Sequence, residues 1–153
     1  SMKLAKDNID TYKQALAKRG NVAHPKAEFP GGAAIGVQRH IFVDDTDEKA
    51  IRWAKPAMEV HLKNINWLRS QHGATGLTTR LKVRGESFEE CVAEGSVICG
   101  SPSTVTAEIE RHVHELGINY LLAYMFLGTM AMPDAMRSLK IFASEVMPKI
   151  ARL

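Results

Sequence analysis

Three groups of residues have types and spacings that suit ligand chemistry. Gly100, Ser101 and Pro102 close a short apolar run, SVICG, and open a helical one. A glycine lets backbone approach a ligand closely. A helix starting at Ser101 presents free N–H groups and a dipole that favour an anion. The same tripeptide is also an ordinary helix start, with Ser101 as cap and Pro102 in the first turn. Arg39 and His40 interrupt the apolar run VQRHIFV, and strand alternation sends them to opposite faces. A ligand contact would account for them, and so would a structural ion pair; Asp44, Asp45 and Glu48 are near in sequence. Tyr124, Phe126 and Met130 lie at the end of another apolar run and just after it. They suit a pocket wall or a closing strand that fills the core.

Other chemistry is poorly supplied. His112 and His114 are two apart on a helical pattern and face different directions. His61 and His72 lack a ligand-type residue four positions away on the same face, so no metal site is expected. Cys91 and Cys99 have no metal spacing and sit in apolar surroundings, where free cysteine packs without reacting. No residue is assigned as catalytic.

The elements that must position these groups follow from periodicity. Residues 96–100 read as a strand. From Thr104 the apolar positions Val105, Ile109, Val113 and Leu116 repeat at the helical period, and Gly117 falls where a helix ends. Residues 118–126, nearly all apolar, read as a strand covered on both faces. Residues 133–150 then read as a closing amphipathic helix. Upstream, residues 3–19 form a polar helix and residues 21–32 a Pro/Gly-rich loop. Residues 33–43 form a strand and residues 44–47 a turn in which Asp45 or Thr46 can cap a helix over 47–69. Pro56 is too deep in that helix for a first-turn proline, so a kink or break is expected. Residues 72–85 read as a long connection with a strand-like stretch at 77–83, and 87–93 as a short helix.

These pairs of strand and helix imply an α/β fold with a parallel sheet. The 153 residues make one domain over 2–153, with Ser1 resembling a scar left by tag removal. The length allows an open doubly wound sheet or part of a barrel; a complete (β/α)8 barrel takes about 250 residues. Hydrophobic residues make up 45% of the chain, enough for a core. The net charge of +3 is scattered, with no basic stripe or aromatic platform, so nucleic acid is not an expected partner. No apolar run is long enough to span a membrane. Two thiols and no signal peptide fit a reducing cytoplasm.

Three segments together resemble the C-terminal portion of bacterial-luciferase-like flavin-dependent monooxygenases. They are RHIFVDDTDEKA, ICGSPSTVTAEI and ELGINYLLAYMFLGTMAMPDAMRSLKIFASEVMPKI, in that order between Ala33 and Ile150. Members of that family are TIM barrels that use reduced FMN, or in some branches a deazaflavin, to oxidise an organic substrate. The resemblance therefore implies a partial (β/α)8 barrel of about three C-terminal strand-helix units. It implies Gly100, Ser101 and Arg39 as cofactor contacts, and Tyr124, Phe126 and Met130 on the substrate side. The family's first four or five strands, which supply most flavin contacts, have no counterpart here. The isolated chain is thus expected to bind no cofactor tightly and to be inactive. A missing N-terminal half-barrel chain is one expected partner. The alternative is a non-catalytic oligomerisation or interaction module. Either way the open strand edges and an inward face carrying Ile98, Leu122 and Tyr124 predict a homo-oligomer, most simply a dimer.

Overall fold

The computed structural model describes residues 1–19, 34–71 and 87–151. The loop expected at 21–32 and the connection at 72–85 lie outside them. The elements in chain order are α1 (Met2–Arg19), β1 (Gly36–Val43), α2 (Asp47–Gln71), α3 (Phe88–Ala93), β2 (Val97–Gly100), α4 (Pro102–Leu116), β3 (Tyr120–Tyr124), α5 (Met132–Ile141), a π-helical turn (Phe142–Val146) and α6 (Met147–Ile150). The three strands form a parallel sheet in the order β2-β1-β3. Val43 pairs with Gly100 on one side of β1, and His40 pairs with Tyr124 on the other.

The α/β class and the three parallel strands are as expected. Two details depart from three successive barrel units. Such units would place β2 between its sequence neighbours, whereas β1 is central. Helices also cover both faces. On one face Phe42 of β1, with Val97 and Cys99, packs under Ala50, Ala54 and Met58 of α2 and Phe88 and Cys91 of α3. On the other, Ile41, Val43 and Ile98 pack under Val105 and Ile109 of α4 and under Phe142 and Val146. Ile9 of α1 extends that second layer over Val37, Leu116 and Ile118.

Local signals set most boundaries. Ser101 Oγ accepts from Thr104 N–H at 3.3 Å and caps α4. Gly117 ends α4 at φ 62°, a left-handed conformation that glycine adopts without a Cβ clash. Thr46 Oγ1 accepts from Lys49 N–H at 3.3 Å at the start of α2. Of the kink or break expected at Pro56, the break does not occur: α2 runs through it as one helix. The proline still removes one N–H from the ladder, at an exposed position of the helix. The closing helix is interrupted instead. The ladder widens to a π turn over Phe142–Val146, next to Pro148, whose missing N–H leaves the carbonyl four residues earlier without its usual donor.

The strand expected to be covered on both faces is not. Tyr120, Leu122 and Tyr124 are each 47–49% exposed, because α2 overlies β1 and β2 on that face and stops short of β3. Ile98 does not share their face. It aligns with Ile41, while Leu122 and Tyr124 align with Gln38 and His40, which alternation puts on the opposite side. Ile98 is buried under α4.

Candidate functional site

β1 and β3 are adjacent and parallel, yet the chain leaves them toward opposite faces. After β1 it turns into α2 on the Phe42 face. After β3 it enters α5, whose continuation lays Phe142 and Val146 on the Ile41 face. Open α/β sheets bind ligands beyond the carboxyl ends of their strands at such a divide. α5 also fills the gap beside β1 where β3 ends, since Val43 N–H donates to the buried Ser138 Oγ at 2.9 Å.

Asp44, the residue after β1, is buried at this edge. Its Oδ2 accepts from Trp53 Nε1–H at 2.9 Å and from Arg137 Nη2–H and Nε–H at 2.7 and 3.2 Å. Its Oδ1 accepts from the Asp45 N–H at 2.8 Å. Burial alone would raise its pKa, but the bonds from Arg137, the Asp45 amide and Trp53 together hold it below the usual carboxylate range. An acid so held stays ionised at neutral pH and cannot serve as a general acid. It ties β1 to α2 and α5. Arg137 also pairs with Asp134 at 2.9 Å. A cavity of about 430 Å3 beside this cluster takes in Lys49 and Arg52, and Lys49 pairs with Asp45 at 2.6 Å. A second, of about 330 Å3, shares Trp53 and Asp134 and reaches Thr129 and Met130.

At Gly100 and Ser101 a residue of the chain itself takes the anion position. Asp47 Oδ1 accepts from Ser101 N–H at 2.6 Å, and Oδ2 accepts from Thr104 Oγ1–H at 3.1 Å. The Ser101 N–H, helped by Thr104, holds Asp47 below the usual carboxylate range. Gly100 is required for this approach: a Cβ there would stand 2.5 Å from Asp47 Oδ1. Cys99, one residue earlier, is inert as a nucleophile, because burial and then Asp47 push its thiol up to about 12.

The remaining candidates are dispersed. Arg39 and His40 do face opposite sides. Arg39 turns to α4 and donates from Nε–H to His112 Nε2 at 2.9 Å. His40 lies edge-on to His61 and Tyr124, with ring centroids 5.3 and 5.1 Å apart. Tyr124 and Phe126 are exposed. Met130 is buried in the core under α2, and its Sδ accepts from Leu127 N–H at 3.1 Å. Gly100 at the end of β2 and Ser101 after it are separated from Tyr124 on β3 by the width of β1. Among the described residues no three His, Cys, Asp or Glu side chains gather as metal ligands, and no helix is long and apolar enough to cross a membrane.

No protein-family model matches the chain, and no curated protein does either. Solved structures do. Monooxygenase RslO1 from Streptomyces bottropensis superposes with a TM-score of 0.67 at 14% identity, over 98% of this chain and 39% of that one. The oxygenating constituent of 3,6-diketocamphane monooxygenase from the CAM plasmid of Pseudomonas putida is a type II Baeyer-Villiger monooxygenase, in complex with FMN. It superposes with a TM-score of 0.65 at 21% identity, over 97% of this chain and 41% of that one. The fold is shared with part of two monooxygenases. This chain spans about two fifths of the length of either.

Proposed function

We propose that this chain is the C-terminal part of a luciferase-like flavin-dependent monooxygenase, a TIM-barrel enzyme that oxidises an organic substrate with reduced flavin and oxygen. The observation that supports this most is the superposition of nearly the whole chain on two monooxygenases, one of them in complex with FMN. The ordered segments around Arg39, Gly100 and Tyr124 point the same way. In this reading the Tyr124, Phe126 and Met130 region contributes a wall on the substrate side.

The described residues do not make a flavin phosphate site at Gly100 and Ser101 as they stand. The donors there are taken by Asp47, and a phosphate would meet its negative charge. We therefore assign flavin binding chiefly to residues outside this chain, and expect the isolated chain neither to hold FMN tightly nor to oxidise a substrate. A fluorescence-quenching titration with micromolar FMN checks this, and saturable quenching would overturn it. The family reading is tested separately on the DNA upstream of Met2. An in-frame continuation encoding further strand-helix units, whose product binds FMN, supports it. A stop codon and a ribosome-binding site directly upstream would count against it.

One observation favours a second reading, self-association of a truncated module. The β3 edge bears Leu122 and Tyr124 on a face that no described helix covers, and Phe126 follows them, exposed. Pairing two such edges about a twofold axis would cover them. Light scattering at low micromolar concentration should give twice the chain mass. A monomer would mean that the face is covered within one chain.

A further inference from the structure

Arg39 is a buried cation without a buried anion. Its residue is 7% exposed. The guanidinium has five N–H groups. Nε–H donates to His112 Nε2 at 2.9 Å, one Nη1–H donates to the Gln38 carbonyl at 2.9 Å, and Nη2 makes a weak contact with Met2 Sδ at 3.8 Å. Two N–H groups remain. His112 brings a lone pair and no charge. It is fully buried, with Nδ1 2.7 Å from the Glu108 carbonyl and Nε2 3.0 Å from the Gly95 carbonyl as well as 2.9 Å from Arg39 Nε; the Arg39 N–H takes the Nε2 lone pair, which leaves the ring proton on Nδ1. Glu108 is the acid that acts on Arg39 through space, but its carboxylate is engaged with Arg111. Among the described residues no carboxylate lies within ion-pair distance of Arg39. Buried charges in folded proteins are as a rule paired.

Arg39 also lines a cavity of about 220 Å3. It sits in a notch of the sheet. β2 begins opposite His40, so among the described residues no strand pairs with the first half of β1 on that edge, and α1 lines the gap. Asn8, Gln38 and Ser96 add polar groups to the lining, and Leu4 and Met58 add apolar ones. A water molecule takes about 30 Å3 in the liquid, so the cavity has room for a phosphate or a small organic acid.

We propose that this notch binds a small oxyanion, a carboxylate or a phosphate, held by the remaining N–H groups of Arg39 with the Asn8 amide at its side. Burial already disfavours the charged guanidinium, against the pull of Glu108 and together with the push of Arg111; a bound anion would relieve that. The site does not depend on the monooxygenase reading, and its ligand need not be the flavin.

The test is calorimetric titration of the whole chain with inorganic phosphate, with acetate and with FMN, at constant ionic strength set by chloride. Saturable binding of phosphate or acetate is expected with a dissociation constant on the order of 1 mM, and Arg39→Lys should weaken it by about tenfold or more, since an ammonium lacks the planar fork. Asn8→Leu keeps the test decisive if the Arg39 variant misfolds. Asn8 is exposed on α1, so the leucine should leave the fold intact, narrow the cavity and weaken binding without touching the guanidinium. FMN binding lost in both variants would identify the oxyanion as the flavin phosphate and keep the site. Absence of saturable binding by all three probes up to about 20 mM would overturn the proposal, as would binding that both variants leave unchanged.

Discussion

At the C-terminal end of β1, Asp44 is buried and loses little by it. Trp53, Arg137 and the Asp45 amide converge on its two oxygens. Asp47 is served in the same way by Ser101 and Thr104. Midway along the same strand, Arg39 is as buried and has a neutral imidazole, a carbonyl and a thioether for company. Buried charge is thus closed within the chain at the edge where an α/β sheet usually meets its ligand, and left open at the notch beside α1. In this chain the topological rule and the electrostatics point to different places. A cleft at the divide between β1 and β3 is a structural prerequisite for a site, and its buried carboxylate, Asp44, is already spent on holding three elements together.

The largest test of that contrast is Asp44→Ala. It removes the acceptor for Trp53 and Arg137 and unties α5 from β1. A hydrogen bond to a charged group is worth about 1.5–3 kcal/mol, and two side-chain partners lose theirs here, although the partly exposed Arg137 regains water. We expect a loss of about 3 kcal/mol in urea unfolding. Asp44→Asn keeps one acceptor oxygen and should cost less. A loss below about 0.5 kcal/mol for the alanine variant would mean that the cluster contributes no more than an exposed ion pair.

Acid should separate the two regions. The folded pKa of His112 is depressed, by burial first and then by Arg39, against the pull of its hydrogen bonds. The unfolded chain takes up that proton first. Stability is therefore full above about pH 6.5 and falls as pH drops from there toward the folded value, by about 1.4 kcal/mol for each unit between the two. Asp44 and Asp47 have depressed folded values too, but as acids. Their contribution is full above about pH 4 and is lost as pH falls through the folded values. Unfolding free energy against pH should thus decline in two stages, and His112→Gln should abolish only the upper one. A single decline below pH 4 in the parent chain would show that the imidazole near Arg39 is not held neutral by its surroundings.

Much of the fold was legible because its signals are local. The Ser101 cap, the glycine after α4 and the apolar spacing of α2 each lie within a few residues of what they determine. The run 118–126 misled because its composition suits a covered strand, whereas exposure was decided by how far α2 reaches. The candidate residues were legible as types and not as partners. Arg39 meets His112 across 73 positions, Asp44 meets Arg137 across 93, and Asp47 reaches Ser101 across 54. No pattern in one sequence announces those pairs. Asp44 had a faint signal, a polar residue directly after an apolar strand. Arg137 had none.

The smallest effect on stability, and the sharpest on the contrast, is expected from Asp47→Asn. The asparagine keeps an oxygen that can accept from Ser101 N–H, and its amide can donate to Thr104 Oγ1, so the loss should be about 1 kcal/mol or less. What changes is the charge. With the carboxylate gone, the first turn of α4 offers its N–H groups and its dipole to an outside anion, as the sequence alone suggests for Gly100 and Ser101. Phosphate titrated into the variant should shift the Ser101 and Thr104 amide resonances, while in the parent chain it should shift only those around Arg39. Adding Ser101→Ala should then weaken the new contact without unfolding the chain. If the Ser101 amide of the variant ignores phosphate, the junction is an ordinary Ser-Pro helix start, and Asp47 is there to complete that cap.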